Sequence, residues 1–361
     1  MLNIAVFLYL LVISIAIQED RLGNTTNRTI DVHFKIIGPK FFLIGVQKGG
    51  TTSLYDLLIQ HENICASCSA VGEGSDIHLN MKEIHYFDIP SHYKMGSSFY
   101  LRHFRSKCNI LDGVSNYLDG TPDYYRHDEA PIRMNETFLS LKDKRIVLIL
   151  REPISREFSL YIHVLRHCTN YIENQINKYH KKHHNFSSVI NDAKIICGAT
   201  HNHQNISQSE HCHTLDCVSR IQSIKSPSKV IRHLPTFKEY VDSGKISYSH
   251  SQYIHQIRNY LNFFDRKQML ILSFDYLIHN TSLALQAIFK HFDVPDTMSS
   301  MALPHDNVAR VDAVLDCESQ NKLKGYYTQY NDLLYEFFEK EKGPDYEPKF
   351  EKFQYSNCTV T

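Results

Sequence analysis

The chain has 361 residues, 42% of them hydrophobic and 22% charged, with Lys+Arg and Asp+Glu balanced at 39 each. That composition allows a sizeable core and excludes global disorder. A formal net charge of zero argues against a nucleic-acid partner, so any anionic ligand must be held by local patches. The 22 histidines would make the surface more cationic in a mildly acidic compartment.

The first element is the uncharged run Ile4 to Ile17. It is short for a membrane span and reads as a signal peptide or minimal signal anchor over residues 1–17. Residues 18–38 are polar and read as a short stem. Either reading of the leader places the rest of the chain in the secretory pathway. Seven N-x-[ST] sequons agree, at Asn24, Asn27, Asn135, Asn185, Asn205, Asn280 and Asn357. Nine cysteines would mostly pair in an oxidising lumen, leaving at least one over.

Phe41 to Val46 is predicted as a buried strand and Ser53 to Gln60 as a helix with Leu54, Leu57 and Leu58 on one face. Further buried strands are predicted at Arg145–Leu150 and Met269–Phe274, a helix from about Pro153, and another around Ser282–Phe292. Strands alternating with helices predict an α/β fold, a doubly wound parallel sheet with ligands at the carboxyl ends of the strands. Lys48 and Arg151 each follow a buried strand directly, which predicts both on that rim. Residues 167–235 are rich in His, Ser and Asn, hold four cysteines and read as an insertion, partly helical and pinned by disulfides. Residues 346–361 read as a C-terminal tail.

Three stretches carry chemistry. In FFLIGVQKGGTTSLYDLL, Gly45, Gly50 and Thr52 match a phosphate loop, but Thr51 stands where its lysine belongs and Lys48 has moved into the turn. Backbone N–H groups around Gly49, Gly50 and Thr51, with the hydroxyls of Thr51, Thr52 and Ser53, make an anion site at a helix N-terminus. The shifted lysine suits a nucleotide with a single 5′ phosphate-like head. In KEIHYFD, Lys82, Glu83 and His85 are crowded among aromatics; if extended, Glu83 and His85 share a side, and Glu83 can serve as a general base. In RIVLILREPISREFSLYIH, Arg151 and Ser159 can hold a second phosphate, with Arg156 as the alternative ligand or a surface charge.

Together, a strand–K-x-G-T-[TS] loop, KE-x-H-[FY]-FD and [LI]-R-[DE]-P-x-x-R-x-x-S resemble the sulfotransferase family, which uses 3′-phosphoadenosine 5′-phosphosulfate. The nearest likeness is to Golgi glycosaminoglycan enzymes. Residues 82–104 resemble heparan sulfate 3-O-sulfotransferases; LNFFDRKQMLILSFDYLIHN and KGYYTQYNDLLYEFF resemble these and the N-acetylgalactosamine 4-sulfate 6-O-sulfotransferase. The likeness covers roughly residues 40–166 and 246–340. It implies a sulfotransferase domain over 39–345, with a P-loop-like central parallel sheet and helices on both faces.

The resemblance also implies roles. The loop, Lys48 to Ser53, would hold the phosphosulfate, and Arg151 with Ser159 the 3′-phosphate; Arg310 would add a late nucleotide contact. Glu83 would take the proton of an acceptor hydroxyl, Lys48 would stabilise the leaving oxygen, and His85 and Lys82 would orient acceptor or base. No metal is required. The acceptor would be a glycosaminoglycan, and the site of action the Golgi lumen with a type II anchor, or outside the cell if the leader is cleaved. Two departures stand out. LDGTPDYY carries Gly120 where the 3-O-sulfotransferases have a lysine, and the family's cysteine-bracketed C-terminal loop is not recognisable.

The basic runs His103–Lys107 and Asn177–His184 can grip an acidic polysaccharide or simply be solvated. The cluster His201, His203, His211, Cys212, His213 and Cys217 has irregular spacing for zinc and reads better as disulfides and surface histidines, as does Cys65-x-x-Cys68. Two rival functions remain. A catalytically dead glycan-binding protein on this fold predicts damage to Lys48, Glu83, Arg151 or Ser159, and all four are present. A P-loop kinase predicts lysine at position 51, which is threonine.

Overall fold

The computed structural model describes residues 36, 38–67, 82–104, 116–180, 236–243, 248–298, 300–303 and 314–355, without the side chains of 167–180. Five strands, β1 (Phe41–Gly45), β2 (Cys65–Ala66), β3 (Tyr117–Asp119), β4 (Arg145–Leu150) and β5 (Met269–Ser273), form one sheet in the order β2-β3-β1-β4-β5. Every pairing is parallel. The helices are α1 (Thr51–Leu58), α2 (Pro90–Tyr93), α3 (Gly96–Leu101), α4 (Glu129–Thr137), α5 (Pro153–His180), α6 (Phe237–Asp242), α7 (Tyr253–Leu261), α8 (Phe274–His279), α9 (Thr281–Phe292) and α10 (Cys317–Lys340).

The strands are apolar on both faces because both are covered. Phe42, Ile44, Ile146, Leu148 and Ile271 point into a core closed by Met134 of α4, Ile254 and Ile257 of α7 and Leu334 of α10. Their neighbours Phe41, Leu43, Val147, Ile149 and Leu270 point the other way, onto Leu54 and Leu58 of α1 and Ile288 and Phe292 of α9. The period of two between these sets is what turns a continuous apolar run into two cores.

The connection after β1 leads toward β2 on one edge; the connection after β4 leads to β5 on the other. The chain therefore changes direction between neighbours β1 and β4, and the loops leaving these two strands part to open a crevice. Lys48 and Arg151 sit at its lip, as the sequence leads one to expect.

Element ends follow local chemistry. Ser273 closes β5 by capping α8, its hydroxyl accepting from the Tyr276 N–H at 3.0 Å. Asp316 caps α10 through the Ser319 N–H at 2.8 Å. The strands β2 and β3 escape sequence reading because they are two and three residues long. The helix expected from Pro153 runs on to His180, past the start of the expected insertion at 167. Residues 181–235 of that insertion, the leader, the stem up to residue 35, Arg310 and the histidine–cysteine cluster lie outside the described residues. The end of the expected stem is already part of the fold, since Ile36 is buried in the core and its N–H donates to the Thr137 carbonyl at 2.8 Å. Of the stretch read as a tail, Glu347 bonds to Arg266 and to the Ile271 N–H of β5, and Phe353 is buried in the core.

Cys65 and Cys317 are each disulfide-bonded. Among the described sequons, Asn135 and Asn280 are exposed. No helix among the described residues is long and apolar enough to cross a membrane.

Candidate active site

The loop after β1 leads into a helix start that no side chain caps. Gly50, at φ 83°, caps α1 with no side-chain bond, and no acidic residue stands in the first helical turn. The positive φ favours glycine, and a Cβ there would lie 2.8 Å from the Phe274 ring. Lys48 also has a left-handed backbone, at φ 68°. Its carbonyl accepts a bond from Arg151 Nη1 at 3.0 Å, and the carbonyl of Gln47 accepts one from Arg156 Nε at 3.2 Å. Two arginines thus tie down carbonyls of the turn, and the Gly49 N–H, expected as an anion donor, is spent on the Val46 carbonyl at 2.8 Å.

The crevice is a cavity of about 580 Å³. Its polar lining is Lys48, Thr51, Thr52 and Ser53 of the loop, Arg151 just after β4, and Ser155, Ser159 and Arg166 of α5. Phe274, Leu277, Ile162 and Leu303 add apolar walls. A lining of both kinds suits a ligand with anionic groups and a flat apolar part, as a nucleotide has. Arg151 stacks over the Phe274 ring at 4.7 Å. Burial, and then the like charges of Arg166, Arg151 and Lys82, push the Lys48 ammonium down to about 8. Burial is the larger cause; the clustered cations beside it are of the sign that suits an anionic ligand.

Of the sequence candidates, Lys48, Gly50, Thr51, Thr52, Ser53, Arg151 and Ser159 line this cavity. Gly49 packs behind it, where a Cβ would meet the carbonyls of Val46 and Ile149 at 2.9 Å each. Arg156 is neither phosphate ligand nor surface charge. It is 1% exposed, paired with Glu157 and bonded to the loop carbonyl. Arg166 was not foreseen, although Ser155, Ser159 and Arg166 recur at helical spacing on one face of α5.

Glu83 and His85 lie beside the loop. They do not meet through extended alternation: His85 is left-handed at φ 55°, and the turn brings its Nε2 to 3.4 Å from Glu83 Oε2. Lys82 Nζ donates to Glu83 Oε1 at 2.8 Å and to the hydroxyls of Thr51 and Thr52 at 3.2 and 3.3 Å. Burial works against ionised Glu83, but the bonds from His85 and Lys82 outweigh it and hold the carboxyl below its ordinary range. Burial likewise works against charged His85, and Asp88, at 2.7 Å from Nδ1, together with Glu83 overcomes it, pushing the imidazole up to about 10. Glu83 is thus an ionised carboxylate between two cations.

The segment is held from below by β3. Thr121 Oγ1 accepts from the N–H groups of Ile84 at 2.9 Å and His85 at 3.4 Å, while its own hydroxyl donates to Asp119 at 2.7 Å. Asp119 also accepts from the Tyr100 and Tyr124 hydroxyls at 2.8 and 2.9 Å. Its burial pushes the carboxyl up to about 6 despite these bonds. His85, Asp88 and Asp123 offer ligand atoms within 4.8 Å of one another. Arg126 takes both oxygens of Asp123, at 3.0 and 3.2 Å, which makes the group an ion-pair cluster with its own cations. Burial raises Asp123, and the Arg126 charge and bonds bring it down to about 2.

A family model described as a sulfotransferase domain matches residues 38–357, nearly all of the chain after the expected stem. The chain belongs to the sulfotransferase family. It is similar to heparan sulfate glucosamine 3-O-sulfotransferase 5 of Mus musculus, 31% identical over 41% of this chain and 38% of that protein. It is also similar to the membrane-associated sulfotransferase kil1 of Dictyostelium discoideum, 32% identical over 37% of this chain and 25% of that one. A third relative is the bifunctional heparan sulfate N-deacetylase/N-sulfotransferase 4 of Mus musculus, 32% identical over 36% of this chain and 13% of that one. The matches thus span well under half the length of these relatives. For a sulfotransferase, a cradle with a displaced lysine is intelligible, because the family's sulfonate donor ends in a phosphosulfate and has no γ-phosphate to bind.

Proposed function

We propose that this sulfotransferase transfers a sulfonate group from 3′-phosphoadenosine 5′-phosphosulfate to a hydroxyl of a carbohydrate of glycosaminoglycan class. One observation carries the reading. Lys82 joins the hydroxyls of the anion cradle to the Glu83 carboxylate through three hydrogen bonds, so an anion in the cradle has a base as its next neighbour. The heparan sulfate specificities in the relatives' names support the acceptor class.

In this reading the loop N–H groups, Thr51, Thr52 and Ser53 bind the phosphosulfate, and Arg151 and Ser159 bind the 3′-phosphate. The apolar walls of the cavity, Phe274 among them, take the adenine. Glu83 accepts the proton of the attacking hydroxyl as its oxygen bonds to sulfur and the sulfur–oxygen bond to the 5′-phosphate breaks. The products are a sulfated sugar and 3′,5′-bisphosphoadenosine. Lys48 meets the charge that develops on the departing oxygen. His85, charged and braced by Asp88, keeps Glu83 ionised and aimed. A luminal setting, Golgi-anchored through the N-terminal segment, fits the sequons and the disulfide-bonded cysteines.

The test is transfer by the full-length chain, made in a secretory host, from radiolabelled donor to heparan, chondroitin, dermatan and desulfated chains. Glu83→Gln should bind the nucleotide as the parent does and lose ~10²–10⁴-fold in transfer. Nucleotide binding with no glycan labelled would remove the glycosaminoglycan acceptor. Absence of nucleotide binding would remove the enzyme and favour a binding protein on this fold.

A further inference from the structure

Gly120 closes β3 next to the base segment, and its N–H donates to the Lys82 carbonyl at 3.1 Å. A Cβ at Gly120 would stand 2.5 Å from the Tyr55 ring and 3.1 Å from Lys82 Cγ. The space of the missing side chain is thus filled by Tyr55 and by the stem of Lys82. Tyr55 cannot yield easily, because it is 1% exposed in the core under α1 and its hydroxyl is bonded to Ser67 at 3.3 Å. Lys82 Cγ would have to give by a few tenths of an ångström, on the stem that carries its ammonium to Thr51, Thr52 and Glu83.

We propose that Lys82 is a positioning residue for the base rather than an acceptor ligand, and that Gly120 is the determinant that lets it act. One ammonium fixes the distance between cradle and carboxylate, because it bonds to both at once. Its donors point to the loop and to Glu83, and its side chain is 14% exposed, whereas that of Glu83 is 38% exposed. The carboxylate is therefore the group that faces incoming solutes, and the lysine stands behind it. The groups facing Glu83 are Lys82, His85 and Lys48; Asp88, Asp123 and Arg126 surround His85 from the far side.

This inference rests on Glu83 being the base, and its test is chosen to separate the two. Carboxyl ¹³C titration of Glu83 in the full-length protein, assigned by the signal lost in Glu83→Gln, needs no turnover. Lys82→Met should move that titration to higher pH, Lys82→Arg should leave it near the parent's, and Gly120→Ala should move it in the same direction as Lys82→Met. Where transfer is measurable, the acid limb of kcat/KM should move with it. At a fixed pH on that limb the loss should be about tenfold or more, the effect of removing one close opposite charge from a carboxyl. A Lys82→Met that raises acceptor KM alone, with the titration unmoved, overturns the proposal and returns Lys82 to the acceptor. A Gly120→Ala that folds and titrates as the parent does overturns the part assigned to the glycine. If the titration moves as expected but no variant and no parent transfers sulfonate, the proposed function fails and the positioning does not.

Discussion

Lys48 is held at an energetic cost to the fold. Its ammonium releases a proton at about 8 when folded and at 10.5 when unfolded. Between these values the unfolded chain binds more protons, so stability rises with pH across that window. Below about pH 8 the charged lysine destabilises the native state in full. Lys48→Met should therefore raise the unfolding temperature at pH 7, by the equivalent of about 1–3 kcal/mol, while transfer collapses. Calorimetry beside the transfer assay checks both, and a lowered unfolding temperature would refute the electrostatic account. The same titration predicts that 3′,5′-bisphosphoadenosine binds less well to the parent as pH rises above 8, and that Lys48→Met removes this dependence. His85 behaves in the opposite sense. Raised to about 10, it contributes stability that is complete below its ordinary 6.5, declines as pH climbs between the two values and is gone above about 10.

At the scale of elements, the base segment has no ladder of its own. Residues 83–85 are neither helix nor strand, and their backbone donors go to the side chain of Thr121 just beyond β3. Thr121→Val keeps the shape and leaves one buried and one part-buried N–H group, of Ile84 and His85, without that acceptor. The expected loss is about 1–3 kcal/mol of stability. Transfer should fall while nucleotide affinity stays near the parent's, because the cradle is built from β1 and α1. Denaturant unfolding and nucleotide calorimetry on one sample test the split; equal losses in both would show that segment and cradle are not separately supported. The loop's own dependence is on Gly50, whose positive φ of 83° starts α1 beside the cavity.

At the scale of the whole molecule, Arg156 ties three distant parts together. Its guanidinium bonds to the Gln47 carbonyl in the loop, to Glu157 beside it and to Ser251 ahead of α7. Glu157 in turn accepts from Ser251 at 2.8 Å and from Tyr327 of α10 at 3.3 Å. Both ionic side chains are almost completely buried. Arg156→Met would strand the Glu157 carboxylate, which should cost about 3–5 kcal/mol. Thermal unfolding should show that loss, and an Arg156→Met/Glu157→Gln double variant should recover part of it. No recovery would mean that the arginine matters through the loop carbonyl alone.

The chain's apolar runs determined β1, β4 and β5, and its motifs determined that the loop at Lys48 and the arginine at 151 would share one rim. These are local properties: a buried strand needs only its own side chains to be apolar, and a helix N-terminus needs only its own N–H groups. The strands β2 and β3 are too short for any periodicity, and only pairing along the sheet makes them strands. The base segment was legible as a set of residue types, yet its geometry was not, since His85 reaches Glu83 through a left-handed turn instead of an extended alternation. Lys82 meets Thr51 across 31 residues and Tyr327 meets Glu157 across 170. Contacts at such separations are set by the strand order β2-β3-β1-β4-β5, which places the loops after β1 and β4 side by side. That is why Arg156 reads from the sequence as an alternative phosphate ligand or a surface charge and stands in the fold as a buried tie, and why Gly120, which reads as the loss of a lysine, is found packed against Tyr55 and Lys82.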